Sequence, residues 1–276
     1  MQRRFVEVDV FTALPYRGNP LAVVIDGEGL STEEMQRFAN WTNFSETTFL
    51  VPPTDPAADY AVRIFTTTTE LPFAGHPTLG SCHAWLRHGG VPTSDDEVVQ
   101  ECGVGLVRIR RDDSRLAFAA PPLRREGPLD EATLAEAAAA IGVAVEDVID
   151  SAWIDNGPGW LGLLLRSADD VLAIRGVRTP LKVGVAGPHP DGSPTAYEVR
   201  AFFPEGDQSF EDPVTGSLNA SMAQWLVARG RCTPPYAVSQ GAALGRAGIV
   251  HVTADDTGQL WIGGDVTTCV EGRVAL

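Results

Sequence analysis

Long hydrophobic runs are missing from this 276-residue chain, and so is a signal-peptide pattern at its MQRRFVEVDV start. The first absence excludes a membrane-spanning helix, and together they make a cytoplasmic protein the expectation. Positive charge is scarce. Twenty-one Lys and Arg stand against 36 Asp and Glu, for a net charge of −15 and a pI near 4.7. Nucleic acid and anionic membrane surfaces are poor partners for such a chain. A small anionic metabolite remains open, through a locally positive pocket that helix N-termini can supply. The four cysteines, Cys82, Cys102, Cys232 and Cys269, form no C-x-x-C and no cluster with histidine, so neither zinc nor a disulfide framework is indicated. The chain also lacks G-x-x-x-x-G-K, a G-x-G-x-x-G after a strand, G-x-S-x-G and H-E-x-x-H. No metal site and none of these nucleotide-binding or catalytic motifs is therefore indicated.

What is present is an approximate repetition. Tyr60 to Phe65 reads YAVRIF and Tyr197 to Phe202 reads YEVRAF. Each is followed by a Gly/Pro-rich loop that opens a helix, ELPFAGHPTLGSCHAWL from Glu70 and FEDPVTGSLNASMAQWL from Phe210. Each helix carries a Trp-Leu pair, ends near Gly90 or Gly230, and precedes a Q-x-x-x-x-G strand entry at Gln100 or Gln240. Tyr60 and Tyr197 lie 137 residues apart, and Gln100 and Gln240 lie 140 apart. Ordered blocks at nearly constant offset point to two similar halves. PPLRREGP, from Pro121, is the natural linker, giving lobes of residues 1–120 and 121–276 with the last strand free to return to the first lobe. Strands outnumber helices and several are joined by tight turns, so α+β with mixed or antiparallel sheets is expected. A helix capped by Ser31, strands at Val6–Phe11, Leu21–Ile25, Asn43–Val51, Ser114–Ala119 and Lys182–Ala186, and helices after Asp130 and Ser167 complete the reading.

Three segments carry candidate chemistry. In PFAGHPTLG, Pro77 suits the first turn of a helix, which places Gly75 and His76 at its positive end. A histidine there either touches a ligand or merely caps and packs. In EDPVTGSLNA, Thr215, Gly216 and Ser217 open a second helix, and Asp212 supplies a carboxylate; simple capping is the alternative. In NFSETTF, an alternating strand puts Glu46 on one face with Phe44 and Thr48, where partial desolvation raises a carboxylate pKa toward proton-transfer duty; an edge glutamate facing water is the alternative. His83, His88, His189 and His251 read as structural.

Together ELPFAGHPTLG, NFSETTF, RGNPLAVV and EDPVTGS resemble the phenazine-biosynthesis PhzF family of isomerases, which share the diaminopimelate epimerase-like fold. The resemblance covers essentially the whole chain. It implies a homodimer, two similar lobes each wrapping a sheet around a central helix, a site between them, and catalysis without a cofactor. The best-understood member type isomerises trans-2,3-dihydro-3-hydroxyanthranilate. The family's acid/base glutamate falls on Glu46, its histidine on His76, its aspartate and serine on Asp212 and Ser217, and its backbone contacts on Gly75 and Gly216. Related epimerases use a cysteine at each helix-opening loop. None of the four cysteines here opens a helix, which disfavours a two-thiol racemase. Leu218, Asn219 and Phe44 depart from the family pattern and, if they face the ligand, imply a differently shaped substrate. Beside the phenazine-type reading stand an isomerase of another specialised-metabolite precursor and a non-catalytic metabolite-binding member.

Overall fold

A computed structural model describes residues 1–112 and 115–276. The chain divides into two compact units, Met1–Ala119 with Gly263–Leu276, and Ala120–Ile262.

The first unit begins with β1 (Gln2–Val10) and β2 (Asn19–Val24), an antiparallel pair. Helix α1 (Thr32–Thr42) then crosses over to β3 (Thr47–Val51), which runs parallel to β2. The Ser31/Glu34 capping box fixes the start of α1. Asn43, in the left-handed region at φ 59°, stops it, a conformation asparagine tolerates better than most residues. Next come β4 (Tyr60–Phe65), β5 (Glu70–Leu71), α2 (Gly75–Arg87), β6 (Glu97–Cys102), β7 (Gly105–Asp112) and β8 (Arg115–Ala119). The strand expected from Ser114 is thus described from Arg115; Ser114 itself lies outside the described residues. Strand β4 pairs antiparallel with β3 and β5 and parallel with β6. The C-terminal strand Val266–Ala275 closes on the free side of β1 along its whole length.

Helix α2 packs against β1, β2, β3, β4, β6, β8 and the C-terminal strand, so the sheet wraps around it. Gly80 permits that approach. A Cβ there would stand 2.5 Å from Leu21 and 3.0 Å from Val8 and Val10. On the outer side, α1 covers a second cluster in which Phe5, Phe38, Phe49 and Phe65 pack edge to face.

The second unit holds β9 (Arg125–Gly127), α3 (Glu131–Ile141), β10 (Val148–Asp155), β11 (Trp160–Leu165), α4 (Ala168–Ala173), β12 (Lys182–Pro188), β13 (Tyr197–Glu205), β14 (Gln208–Asp212), α5 (Gly216–Ala228), β15 (Tyr236–Gln240) and β16 (Gly248–Ala254). Strand β17 (Leu260–Gly264) leads to the C-terminal strand, β18. The pairings β10–β11 antiparallel, β11–β12 parallel, β12–β13 antiparallel, β13–β15 parallel and β15–β16 antiparallel repeat the order β1, β2, β3, β4, β6, β7. Helix α5 takes the place of α2, with Leu218 packed on Gly184 and Trp225 on Gly162.

The repeat extends to chemistry. Arg63 donates to Glu70 and Arg200 to Glu211, both through Nε and Nη2, and each guanidinium lies over the Phe two residues on. One detail differs from the constant offset expected. Tyr60 stands opposite Gln100, whereas Gln240 stands opposite Val199, two residues further along the second motif. A slip of two leaves the side chain on the same face of the sheet, so both glutamines reach their helix.

Candidate active site

Helices α1, α3 and α4 each begin with a side chain that caps the first turn: Ser31, Asp130 and Ser167. Helices α2 and α5 do not. Ala74 precedes α2 with no polar side chain, and Thr215 precedes α5 with its hydroxyl engaged elsewhere. Both are 13 residues long. Each therefore presents first-turn N–H groups and a positive dipole end that no cap has neutralised. The equivalent central helix of each unit is the one left open.

At the mouth of α2, Gly75 and His76 occupy the first two helical positions and both are buried. The structure corrects the placement of Glu46. Because Asn43 turns the chain after α1, Ser45 and Glu46 precede β3 and do not lie within a strand. Glu46 is thus carried on a short turn, and its carboxylate Oε2 stands 3.6 Å from His76 Nε2, with 17% and 6% of the two side chains exposed. That separation exceeds hydrogen-bond length, and Nε2 is buried without a hydrogen-bond partner. Burial pushes the His76 pKa down to about 3, against a hydrogen bond to the Pro20 carbonyl that favours charge. The ring is neutral at physiological pH. On its other side the Asn19 side-chain amide lies 3.5 Å from Nδ1.

At the mouth of α5, Thr215 Oγ1 donates to Asp212 Oδ2 at 2.6 Å. Gln240 ties the turn to the sheet. Its Oε1 accepts from the Thr215 backbone N–H and the Asn219 amide, while its Nε2 donates to the Asp212 carbonyl and Thr215 Oγ1. Thr215 is thus not the side-chain cap that its position suggests; its hydroxyl orients the aspartate. Ser217 Oγ accepts from the Trp160 indole N–H at 3.0 Å, and its carbonyl accepts from Asn156. With a lone pair so occupied, the Ser217 hydroxyl proton is directed to another acceptor.

The predicted residues accordingly form two groups, Glu46 with Gly75 and His76, and Asp212 with Gly216 and Ser217. Asn19, Trp160, Asn156 and Gln240 join them without having been singled out as site residues. The Q-x-x-x-x-G repetition hinted at Gln240, and Asn19 lies within the RGNPLAVV segment. Leu218 and Asn219 are buried within their own unit, on Gly184 and Gln240 respectively, and Phe44 packs on the α1 cluster. Leu218 and Asn219 are therefore held inside their own unit, and Phe44 is half-buried. His83 bonds Thr268 and His88 bonds the Ala84 carbonyl, as structural histidines do. A cavity of about 580 Å³ in the second unit, lined by Ile174, Arg200, Phe202 and Glu211, includes none of the predicted residues. It lies beside α4, a six-residue crossover helix where α1 has eleven.

Two α+β units, each wrapping a mixed sheet around a helix with an open, polar N-terminus, give the chain the diaminopimelate epimerase-like fold. The chain belongs to the phenazine biosynthesis-like (PhzC-PhzF) family, whose sequence pattern matches residues 8–272. It is 35% identical to antisense-enhancing sequence 1 of Schizosaccharomyces pombe, over 99% of this chain and 98% of that protein. It is 31% identical to the trans-2,3-dihydro-3-hydroxyanthranilate isomerase of Pseudomonas aeruginosa, over 99% of each. The crystal structure of a PhzF-family phenazine biosynthesis protein from Bacillus anthracis superimposes with a TM-score of 0.84 over all of both chains, at 22% identity. That likeness is one of fold.

Proposed function

We propose that this isomerase shifts a proton, and with it a double bond, within a small cyclic amino or hydroxy acid of the trans-2,3-dihydro-3-hydroxyanthranilate kind, using Glu46 as acid/base and no cofactor. The observation that supports this most is the Glu46–His76 pair. A carboxylate on a turn, rather than in a rigid strand, faces a neutral imidazole whose Nε2 has no hydrogen-bond partner. Glu46 takes a proton from one carbon and returns it to another, the step a single positioned carboxylate can perform. His76, held neutral by burial, can accept a hydrogen bond from a substrate amine or hydroxyl without placing a positive charge beside Glu46. The N–H groups opening α2 at Gly75 steady charge that develops on the ring.

Asp212, fixed by Thr215, binds a polar ring substituent in this reading. Ser217 and the α5 backbone at Gly216 hold the substrate carboxylate. An acidic protein can attract that anion because the donors are a hydroxyl and main-chain N–H groups at a helix N-terminus. The similarity in sequence to the Pseudomonas isomerase and the presence of Glu46, His76, Asp212 and Ser217 together favour a catalyst over an inert binding protein.

The experiment is turnover of trans-2,3-dihydro-3-hydroxyanthranilate by the wild type and by Glu46→Gln. The proposal expects turnover by the first and a loss of about 100- to 10,000-fold in the second, the usual worth of a general acid/base. A folded wild-type protein that leaves this compound untouched would remove the substrate assignment. Undiminished activity in the variant would remove the role of Glu46.

A further inference from the structure

On their outer faces the two units are finished differently. In the first unit, Met35, Phe38 and Ala39 of α1 share one apolar cluster with Phe65. Gln36 and Asn40, on the same helix, donate to the Thr66 and Thr67 carbonyls. Phe202 is the counterpart of Phe65 in the second motif. Over it α4 has six residues where α1 has eleven, and a helix shorter by that much loses roughly 7.5 Å. Arg200 Nη1 donates to the Val171 and Ile174 carbonyls and so closes the short end of α4. The room left beside it is the cavity of about 580 Å³.

Its size and lining are those of a small-molecule site. Such sites enclose about 300–1,000 Å³ within mainly apolar walls and carry a few polar groups. Leu172, Ile174, Val177, Phe202 and Phe210 supply the apolar wall, with Phe210 40% exposed and stacked on Phe203. The charged lining residues are Arg175, Arg200 and Glu211. Arg200 and Glu211 neutralise each other in a buried pair. Arg175 is exposed; its hydrogen bonds run from Nη1 to the Leu172 and Ile174 carbonyls, and no carboxylate pairs with it among the described residues. The lining thus carries a net positive charge on a chain whose own net charge is −15. A guanidinium beside an apolar cleft suits a ligand with one negative charge and an apolar body, because it pairs with a carboxylate through two parallel hydrogen bonds.

The cavity is separate from the residues assigned to the reaction. Glu211 and Asp212 are successive on β14, so their side chains leave opposite faces of the sheet. Glu211 turns to Arg200 and the cavity, and Asp212 to Thr215 at the opening of α5.

We propose that this cavity binds a small apolar monocarboxylate, with its carboxylate on Arg175 and its hydrocarbon body against Phe202 and Phe210. The ligand takes the position over the second motif that α1 takes over the first. The site goes beyond the isomerase reading, and its test reads binding instead of turnover.

Calorimetric titration with hexanoate, and with hexanamide as its uncharged counterpart, tests the proposal. Hexanoate binds the wild type with a Kd on the order of 1 mM or tighter, and hexanamide binds about tenfold more weakly or worse. Arg175→Glu and Ala243→Trp, both at exposed positions of the lining, each weaken hexanoate binding by about tenfold or more, the first by reversing the charge and the second by filling the space. Equal affinity in the wild type and both variants puts the anion elsewhere, such as the opening of α5, and overturns the proposal. Hexanamide binding as tightly as hexanoate, or a wild type that binds neither, overturns it too. A second measurement needs no variant. At about ten times the Kd, hexanoate slows wild-type hydrogen exchange by up to about tenfold in peptides covering residues 172–177 and 208–212, and leaves residues 75–80 unchanged. Protection absent from the first two segments overturns the proposal even if the variants misfold.

Discussion

Glu46 and His76 sit 3.6 Å apart, and burial holds the histidine in its neutral form. The histidine pKa falls from 6.5 to about 3, chiefly through burial. Between those values the unfolded chain binds a proton that the folded one refuses. The stability linked to His76 is therefore whole above pH 6.5 and is lost as the pH falls toward 3, at up to about 1.4 kcal/mol per pH unit. His83, lowered to about 4 by burial, acts in the same direction. Urea unfolding between pH 7 and 4 should show a smaller pH slope for His76→Gln than for the wild type; equal slopes would mean that His76 is not buried neutral. The sequence marked His76 by its place before Pro77 and left capping and ligand contact as alternatives, and the uncapped helix start favours contact. It did not mark Trp160 or Asn19, whose partners Ser217 and His76 are each 57 residues away, because such pairings are made by folding and leave no local spacing to read. In the proposed reading Trp160 positions the hydroxyl that binds substrate, so Trp160→Phe should raise KM more than it lowers kcat.

At the scale of elements, α2 and α5 give up a stabilising feature that the other helices keep. A serine at an N-cap is worth about 1 kcal/mol over alanine. Ala74 already has the extended backbone of a cap, φ −152° and ψ 141°. Ala74→Ser should raise the unfolding free energy by about 1 kcal/mol while lowering kcat/KM, because the hydroxyl would compete for the N–H groups assigned to the substrate in the proposed reading. A variant that gained stability at full activity would show that the open end has no catalytic purpose. The paired arginines make a second comparison. Arg63 and Glu70 leave 29% and 38% of their side chains exposed, whereas Arg200 and Glu211 leave 6% and 11%. Arg200 also donates to the Val171 and Ile174 carbonyls. Arg200→Ala should cost about 3–5 kcal/mol by stranding a buried carboxylate and two carbonyls. Arg63→Ala should cost about 1 kcal/mol or less. The element pattern was largely legible, because YAVRIF and YEVRAF repeat the residues that make it. The error at Glu46 arose where alternation from Asn43 to Val51 imitated a strand, while Asn43 in the left-handed region ended a helix.

Over the whole molecule, one pairing order is written twice, and the chain's last strand completes the first unit by pairing with β1, the place β9 takes beside β10. That return has no signature in composition. It depends on a ladder between residues at opposite ends of the chain, and β18 offers only a polar, half-exposed segment to read. Duplication and divergence also explain how a symmetric scaffold supports an unsymmetric reaction. Both units keep the open helix, but only the first carries a glutamate before the strand that follows its crossover. The central claim is that Glu46 alone carries the proton, and following the isomerisation of trans-2,3-dihydro-3-hydroxyanthranilate in deuterated water tests it most directly. The account predicts deuterium at the newly protonated carbon with the wild type, to the extent that Glu46 exchanges with solvent during turnover, and neither product nor deuterium with folded Glu46→Gln. Product and label formed by Glu46→Gln at the wild-type rate would contradict it.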